Sequence, residues 1–182
     1  MAASTVRTMS TLHLEAWSEA GLEILHRSNT PEMTKHLGGP ETEQAVLDRQ
    51  QRYLNLTVGE MMIIRLGSEA IGSIGYWERE WDGEAVYETG YGIFPEFGGH
   101  GYASAALRLV AERAAAHGSR RWLHAFPHVD HAASNAVCRK AGFELVGEFP
   151  FEYPKGTWLR SNDWRLDLSS LGKPPLYTLS EQ

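Results

Sequence analysis

The chain has 182 residues, 42% hydrophobic and 22% charged, the composition of one globular domain with a sizeable core. Its net charge of -6 comes from 23 acids against 17 bases, the lysines are only Lys35, Lys140, Lys155 and Lys173, and no basic run exists; a nucleic-acid footprint is excluded. Cys138 is the sole cysteine, which excludes an intrachain disulfide and a cysteine-rich zinc site, and with no apolar leader or long apolar run the expectation is a cytoplasmic protein without a membrane partner.

Residues from about Arg7 to Ala16 alternate and predict a first strand. Ser18 is placed to cap a helix running to about Arg27. Gly38-Gly39-Pro40 breaks the chain, and a second helix is predicted from about Glu41 to Leu54. Met61 to Leu66 fits a strand. Two longer strands follow, about Glu69 to Trp81 and Glu84 to Phe94, with the hairpin signal Asp82-Gly83 between them. After a glycine-rich turn, Ala103, Ala106, Leu107, Val110, Ala111 and Ala114 recur at helical spacing, and Gly118 fits a C-terminal stop. Arg121 to Phe126 reads as a buried strand and Ala132 to Ala141 as a helix stopped by Gly142. Phe143 to Tyr153 and Thr157 to Leu168 pair around Pro154-Lys155-Gly156, and the tail from Ser169 is predicted irregular. With no repeat or linker, residues 1–182 form a single domain. The order of elements implies an α/β fold: a mixed sheet with helices on both faces.

The turn itself carries the first chemical signal. Gly98, Gly99 and Gly101 sit between a strand end at Ile93-Phe94-Pro95 and a helix start at Tyr102. Glycines there let the backbone approach a ligand closely, with N–H groups pointing outward along the helix start; phosphate or pyrophosphate suits such a nest. A P-loop would need Lys-Ser or Lys-Thr after the last glycine, and none is present. A dinucleotide fingerprint would need Gly or Ala at Ser104 and an acid ending the next strand, which instead ends at Phe126-Pro127. What remains is a pyrophosphate held by backbone amides and a helix dipole without a lysine.

Gly98-Gly99-His100-Gly101-Tyr102-Ala103 resembles the acetyl-CoA pyrophosphate loop of the GNAT superfamily of N-acetyltransferases: Gln or Arg, two residues, Gly, one residue, then Gly or Ala. Gly101 and Ala103 match; Gly98 stands where Gln or Arg is usual. About 30 residues further on, His131-Ala132-Ala133-Ser134-Asn135-Ala136-Val137-Cys138-Arg139-Lys140-Ala141-Gly142-Phe143 is similar to the family's Asn-x-x-Ser…Lys-x-Gly-Phe helix, with His131 replacing Asn. Glu88-Thr89-Gly90-Tyr91 is similar to the strand entering the loop. The subgroup it most resembles contains the ribosomal-protein N-terminal acetyltransferases.

The resemblance implies a mostly antiparallel mixed sheet of six to seven strands and acetyl-CoA as co-substrate, with no metal. It implies that Ile93 pairs through its backbone with the pantetheine arm. The loop Gly98, Gly99, His100, Gly101, Tyr102, Ala103 and Ser104 would hold the pyrophosphate, with His131 in the place of the pantetheine-binding Asn. The acceptor is a primary amine, on a small molecule or a peptide N-terminus, and a homodimer is allowed for. Alternatives are another acyl-CoA donor or a non-catalytic CoA-sensing module.

Acetyl transfer needs a deprotonated amine, a polarised thioester and a stabilised thiolate. The subgroup's Glu-Tyr pair corresponds to Glu152-Tyr153, which makes Glu152 the expected base, at a spacing about one residue short; the competing reading is an exposed strand carboxylate. Glu88, on the strand leading to the loop, is the second choice, against a structural ion pair. Ser134 is the expected thiolate partner, against a helix cap. Cys138 as a covalent nucleophile and a metal site at His124, His128, His131 and Asp130 are weighed and set aside. Trp77 and Trp81 read as packing residues or as an aromatic lip over the acceptor. The first two helices and last hairpin mix acids with Arg27, Arg49, Arg52 and Arg160, which suits an ammonium substrate and leaves arginine for a carboxylate or peptide carbonyl.

Overall fold

The chain is described from a computed structural model over residues 11–152 and 155–171. Seven strands make one sheet, ordered β1-β2-β3-β4-β5-β7-β6. They are β1 (Leu12–Ala16), β2 (Gly59–Leu66), β3 (Glu69–Trp81), β4 (Glu84–Ile93), β5 (Trp122–Ala125), β6 (Glu144–Glu152) and β7 (Trp158–Asp167). Four helices interleave with them: α1 (Gly21–Ser28), α2 (Glu43–Leu54), α3 (Tyr102–His117) and α4 (Ala132–Lys140). Every neighbouring pair is antiparallel except β4 and β5. The predicted mixed, mostly antiparallel sheet with helices on both faces is what forms.

Strand alternation divides the core. On β2, Met62 and Ile64 turn to one face and Ile63 to the other. The first face receives the α3 stripe of Ala106, Leu107, Val110, Ala111 and Ala114, all buried, with Cys138 of α4 beside it. Truncating a residue such as Leu107 to Ala would cost about 2–5 kcal/mol. The opposite face is covered by α1, where Ile24 meets Ile63 and Phe94. Trp17 Nε1 donates to Gln50 Oε1 at 2.9 Å, tying the segment before α1 to α2.

Helix boundaries differ from the sequence reading at two caps. Ser18 does not cap α1: the N-cap is Ala20, without a side-chain bond, and Ser18 offers only its carbonyl to the Gly21 amide at 2.9 Å. Helix α2 begins at Glu43 rather than Glu41, because extended Thr42 accepts from the Ala45 amide through its side chain. Asp82 and Gly83 take positive φ of 50° and 76°, as a two-residue hairpin turn requires. Leu168–Ser170 form a 3-10 turn capped by Asp167. Tyr153, Pro154, the start of the first strand and the tail from residue 172 lie outside the described residues.

The feature that positions the site is the only parallel pairing in this sheet. Strands β4 and β5 match only at Tyr87 with Leu123 and Glu88 with His124. Beyond Glu88, β4 runs on to Ile93 with its other edge on β3, while β5 turns to β7. The two strands part, and the β5-facing edge of β4 from Thr89 to Ile93 is left unpaired.

Candidate active site

The glycine turn lies at the end of that open edge. A 3-10 turn, Pro95–Phe97, closes on Gly98, whose amide is already bonded to the Pro95 carbonyl at 3.0 Å. Gly98 has φ of -64°, so neither its conformation nor its amide is reserved for a ligand. Gly99 and Gly101 differ. Their φ values are +76° and +81°, and a Cβ at either would meet nothing within 4 Å. Glycine is held there by backbone conformation, beside open space. Gly101 is the N-cap of α3 and has no side-chain cap, and no acid stands in the first turn. The first internal bond of the helix is from the Ala105 amide to the Gly101 carbonyl. The amides of Tyr102, Ala103 and Ser104 therefore face outward at the positive end of a 16-residue helix. The Ser104 hydroxyl turns back to the Gly101 carbonyl at 3.0 Å, leaving its amide to face the turn. His100 is exposed, bonds to the Phe97 carbonyl at 3.3 Å and stacks on Tyr102. The turn fits a pyrophosphate carried by backbone groups alone.

Where β4 and β5 part, a cavity of about 1060 Å³ opens. Glu88, Tyr91, His131, Ser134 and Glu152 all line it, whereas Ile93 and residues 98–104 lie beyond its wall. At one end, Tyr91 Oη is 2.8 Å from Ser134 Oγ, donates to the Ser134 carbonyl at 3.1 Å, and lies 3.5 Å from Cys138 Sγ. Burial and the neighbouring thiol push the Tyr91 phenol well above its ordinary value, so it keeps its proton. Cys138 is buried, and burial pushes its thiol up to about 11; it is not a thiolate nucleophile at neutral pH. Ser134 does not cap α4. The cap is His131, whose Nδ1 accepts from the Ser134 amide at 3.4 Å.

That bond fixes the tautomer. An accepting Nδ1 carries no proton, so neutral His131 has its hydrogen on Nε2. The same holds for His128, whose Nδ1 accepts from the Asp130 amide at 3.1 Å. His36, from the loop between α1 and α2, stacks on His131 with ring centroids 4.4 Å apart and lies 5.5 Å from His128. All three rings line the cavity. Burial first, then the adjoining imidazoles, lower the proton affinity of His131; burial, His128 and Lys35 lower that of His36. Nothing local in the sequence marks His36; it reaches the site through a turn-rich loop.

The carboxylates fall into two kinds. Glu88 is held by Arg79 Nη1 at 2.6 Å, and Glu78 by Arg120 Nη2 at 2.7 Å. Glu152, at the end of β6, is exposed and has no ion pair among the described residues; its Oε1 accepts from the Gly156 amide at 2.7 Å. The two tryptophans also separate. Trp77 lines the cavity beside Gly90, while Trp81 donates to Asp163 Oδ2 at 3.0 Å and packs on Phe126 and Phe149. His124 is committed to Asp163 through Nδ1 at 2.6 Å. No cluster of metal-ligand type occurs among the described residues.

A parted pair of parallel strands, with an amide-rich helix start at its mouth and a cavity beyond, is the arrangement expected of an acyl-CoA-dependent transferase. Residues 11–144 match the model of the acetyltransferase (GNAT) domain. A Salmonella typhimurium acetyltransferase that modifies the N-terminal serine of ribosomal protein L7/L12 superposes with a TM-score of 0.71 at 24% identity, over 86% of this chain and 95% of that one. The Vibrio cholerae spermidine N-acetyltransferase, solved with CoA and spermine, gives 0.72 at 15% identity over 87% and 96%. An aminoglycoside acetyltransferase in complex with coenzyme A gives 0.70 at 18% over 86% and 95%. Among curated proteins none matches. The chain belongs to the acetyltransferase (GNAT) family.

Proposed function

We propose that this enzyme transfers acetyl from acetyl-CoA directly to the primary amine of a small molecule in the cytoplasm. The observation that carries the reading is the unpaired edge of β4, leading from the amides of Gly99 to Ser104 at one end to Ser134 and Tyr91 in the cavity at the other. A pyrophosphate on the glycine turn places the pantetheine arm along that edge, where the Ile93 backbone and His131 Nε2–H supply hydrogen bonds. The thioester then lies between Ser134 and the carboxylates.

Glu152 serves as the base. It is the carboxylate of this cavity wall without an arginine partner, so it is free to take the proton of an arriving ammonium. Glu88, held by Arg79, is the second choice. The neutral amine attacks the thioester carbon, and as the tetrahedral intermediate collapses the C–S bond breaks, the nitrogen gives up its second proton and the departing CoA thiolate takes it up. Ser134 Oγ–H stabilises that thiolate, oriented by Tyr91, which stays protonated. The structural relatives include enzymes named for a peptide N-terminus, spermidine and aminoglycosides. The small amine is favoured because the described wall is a walled cavity of side chains from α2, β3, β4 and β6.

The test is thiol release from acetyl-CoA with polyamines, aminoglycosides, amino acids and short N-terminal peptides as competing acceptors. Preference for a small amine supports the proposal. A peptide with kcat/KM about tenfold higher, or roughly 1.4 kcal/mol of transition-state binding, overturns the choice of acceptor.

A further inference from the structure

Helix α2 presents Arg49, Arg52 and Tyr53 to the cavity, one turn apart on one face. The sheet presents carboxylates from the other side: Glu78 on β3, Glu88 on β4 and Glu152 on β6. Most of these charges are already paired within the protein. Arg49 contacts Glu41, Glu78 contacts Arg120, and Glu88 contacts Arg79. Two are left over among the described residues. Arg52 makes no hydrogen bond or ion pair, and Glu152 bonds only a backbone amide. They do not pair with each other: one stands on the helical wall of the cavity and the other on the sheet wall.

A second observation points to the same wall. Arg49 Nε is buried with no hydrogen-bond partner, although its Nη2 is engaged by Glu41. A buried N–H left unbonded is costly, so the Glu41 contact does not satisfy this guanidinium in full. A guanidinium with a second one a helical turn away is the arrangement that binds a carboxylate, through charge-assisted bonds in a planar fork.

We infer that the acceptor is zwitterionic, an amino-acid-like molecule whose carboxylate docks on Arg52 and Arg49 while its amine faces Glu152. This rests on the reading of the cavity as an acetyl-acceptor site and narrows it. A polyamine or an aminoglycoside carries cations only, and leaves Arg52 unmatched. An acceptor with a negative end neutralises Arg52, with Arg49 a helical turn away, while its other end reaches the base. The chemistry is unchanged: one ammonium proton passes to Glu152, the nitrogen lone pair forms the new C–N bond, the C–S bond breaks, and the second nitrogen proton goes to the departing CoA sulfur.

The experiment compares kcat/KM for a panel of amino acids with that for their carboxamides, by thiol release, in wild type, Arg52→Gln and Arg52→Glu. Polyamines and aminoglycosides are included in the wild-type panel. The expected result is a wild-type preference for acid over amide that falls about tenfold or more in Arg52→Gln, the usual effect of losing a charged hydrogen bond. In Arg52→Glu the preference inverts. Arg52 is exposed, so both variants fold. Equal wild-type rates on acids and amides, an unchanged preference in both variants, or turnover of polyamines or aminoglycosides without amino acids overturns the inference and leaves the transferase reading standing. No turnover of any amine overturns both.

Discussion

Between Gly99 and Ser104 the groups that face open space are backbone amides, while between Met33 and Tyr53 the cavity is lined by side chains. The glycine turn needs only two positive φ values and a helix start, all within one short stretch. The cavity wall draws on His36 from a loop, Arg49 and Arg52 from α2, Trp77 from β3 and Glu152 from β6, brought together by the sheet. A pyrophosphate, the same in every CoA thioester, can be held by main chain. An acceptor that differs between relatives has to be recognised by residues that can change without disturbing the fold.

The largest effect is expected at Gly101. Replacing it by Val forces a β-branched residue to φ of +81° and places methyl groups over the amides. Calorimetry should show acetyl-CoA binding lost in a chain that still folds; affinity like that of the wild type would mean that the turn holds no phosphate. Next comes the base. Glu152→Gln is expected to lower kcat by about 10²–10⁴-fold with little change in KM for acetyl-CoA. If that variant turns over normally and Glu88→Gln does not, the base is the arginine-paired carboxylate. Ser134→Ala should lower kcat roughly 10- to 100-fold through loss of a hydrogen bond to a charged thiolate, and Tyr91→Phe only about 2- to 10-fold, as for a neutral bond acting through Ser134.

The smallest effect is on stability. His36 and His131 bind protons less readily in the folded chain than at the ordinary value of 6.5. Below about that pH the unfolded chain takes up the protons first, so stability is full above it and declines as pH falls toward the lowered folded values. Protonating His131 at Nδ1 would also remove the acceptor that caps α4. The melting temperature should drop between pH 7 and pH 5, and His36→Gln should flatten the drop. A profile unchanged by that substitution would separate the ring stack from the pH response.

What could be read in advance follows the same division. The turn, the α3 stripe and the Asp82-Gly83 hairpin were legible because glycine, helical spacing and turn chemistry are local signals. The strand order was not, because pairing β5 with β7 is a long-range choice. Ser18 looked like a cap by residue type, yet the helix starts beyond its reach. Glu88 and Glu152 could be named from the sequence, but only coordinates show that Arg79 occupies the first and leaves the second free. His36 and the Nε2–H tautomer of His131 had no sequence signal, since both arise from contacts across the cleft.

Mass spectrometry of one reaction tests direct transfer. Wild type and Cys138→Ala would each be mixed with acetyl-CoA, first without and then with an accepted amine, and the free thiol, acetyl-amine and intact protein measured together. Direct attack predicts one acetyl-amine per thiol released, no thiol and no protein adduct until the amine is added, and the same behaviour in both chains, since the Cys138 thiol is buried and held protonated with a value of about 11. An acetyl group on the wild-type protein before the amine arrives, absent in Cys138→Ala together with turnover, would contradict it.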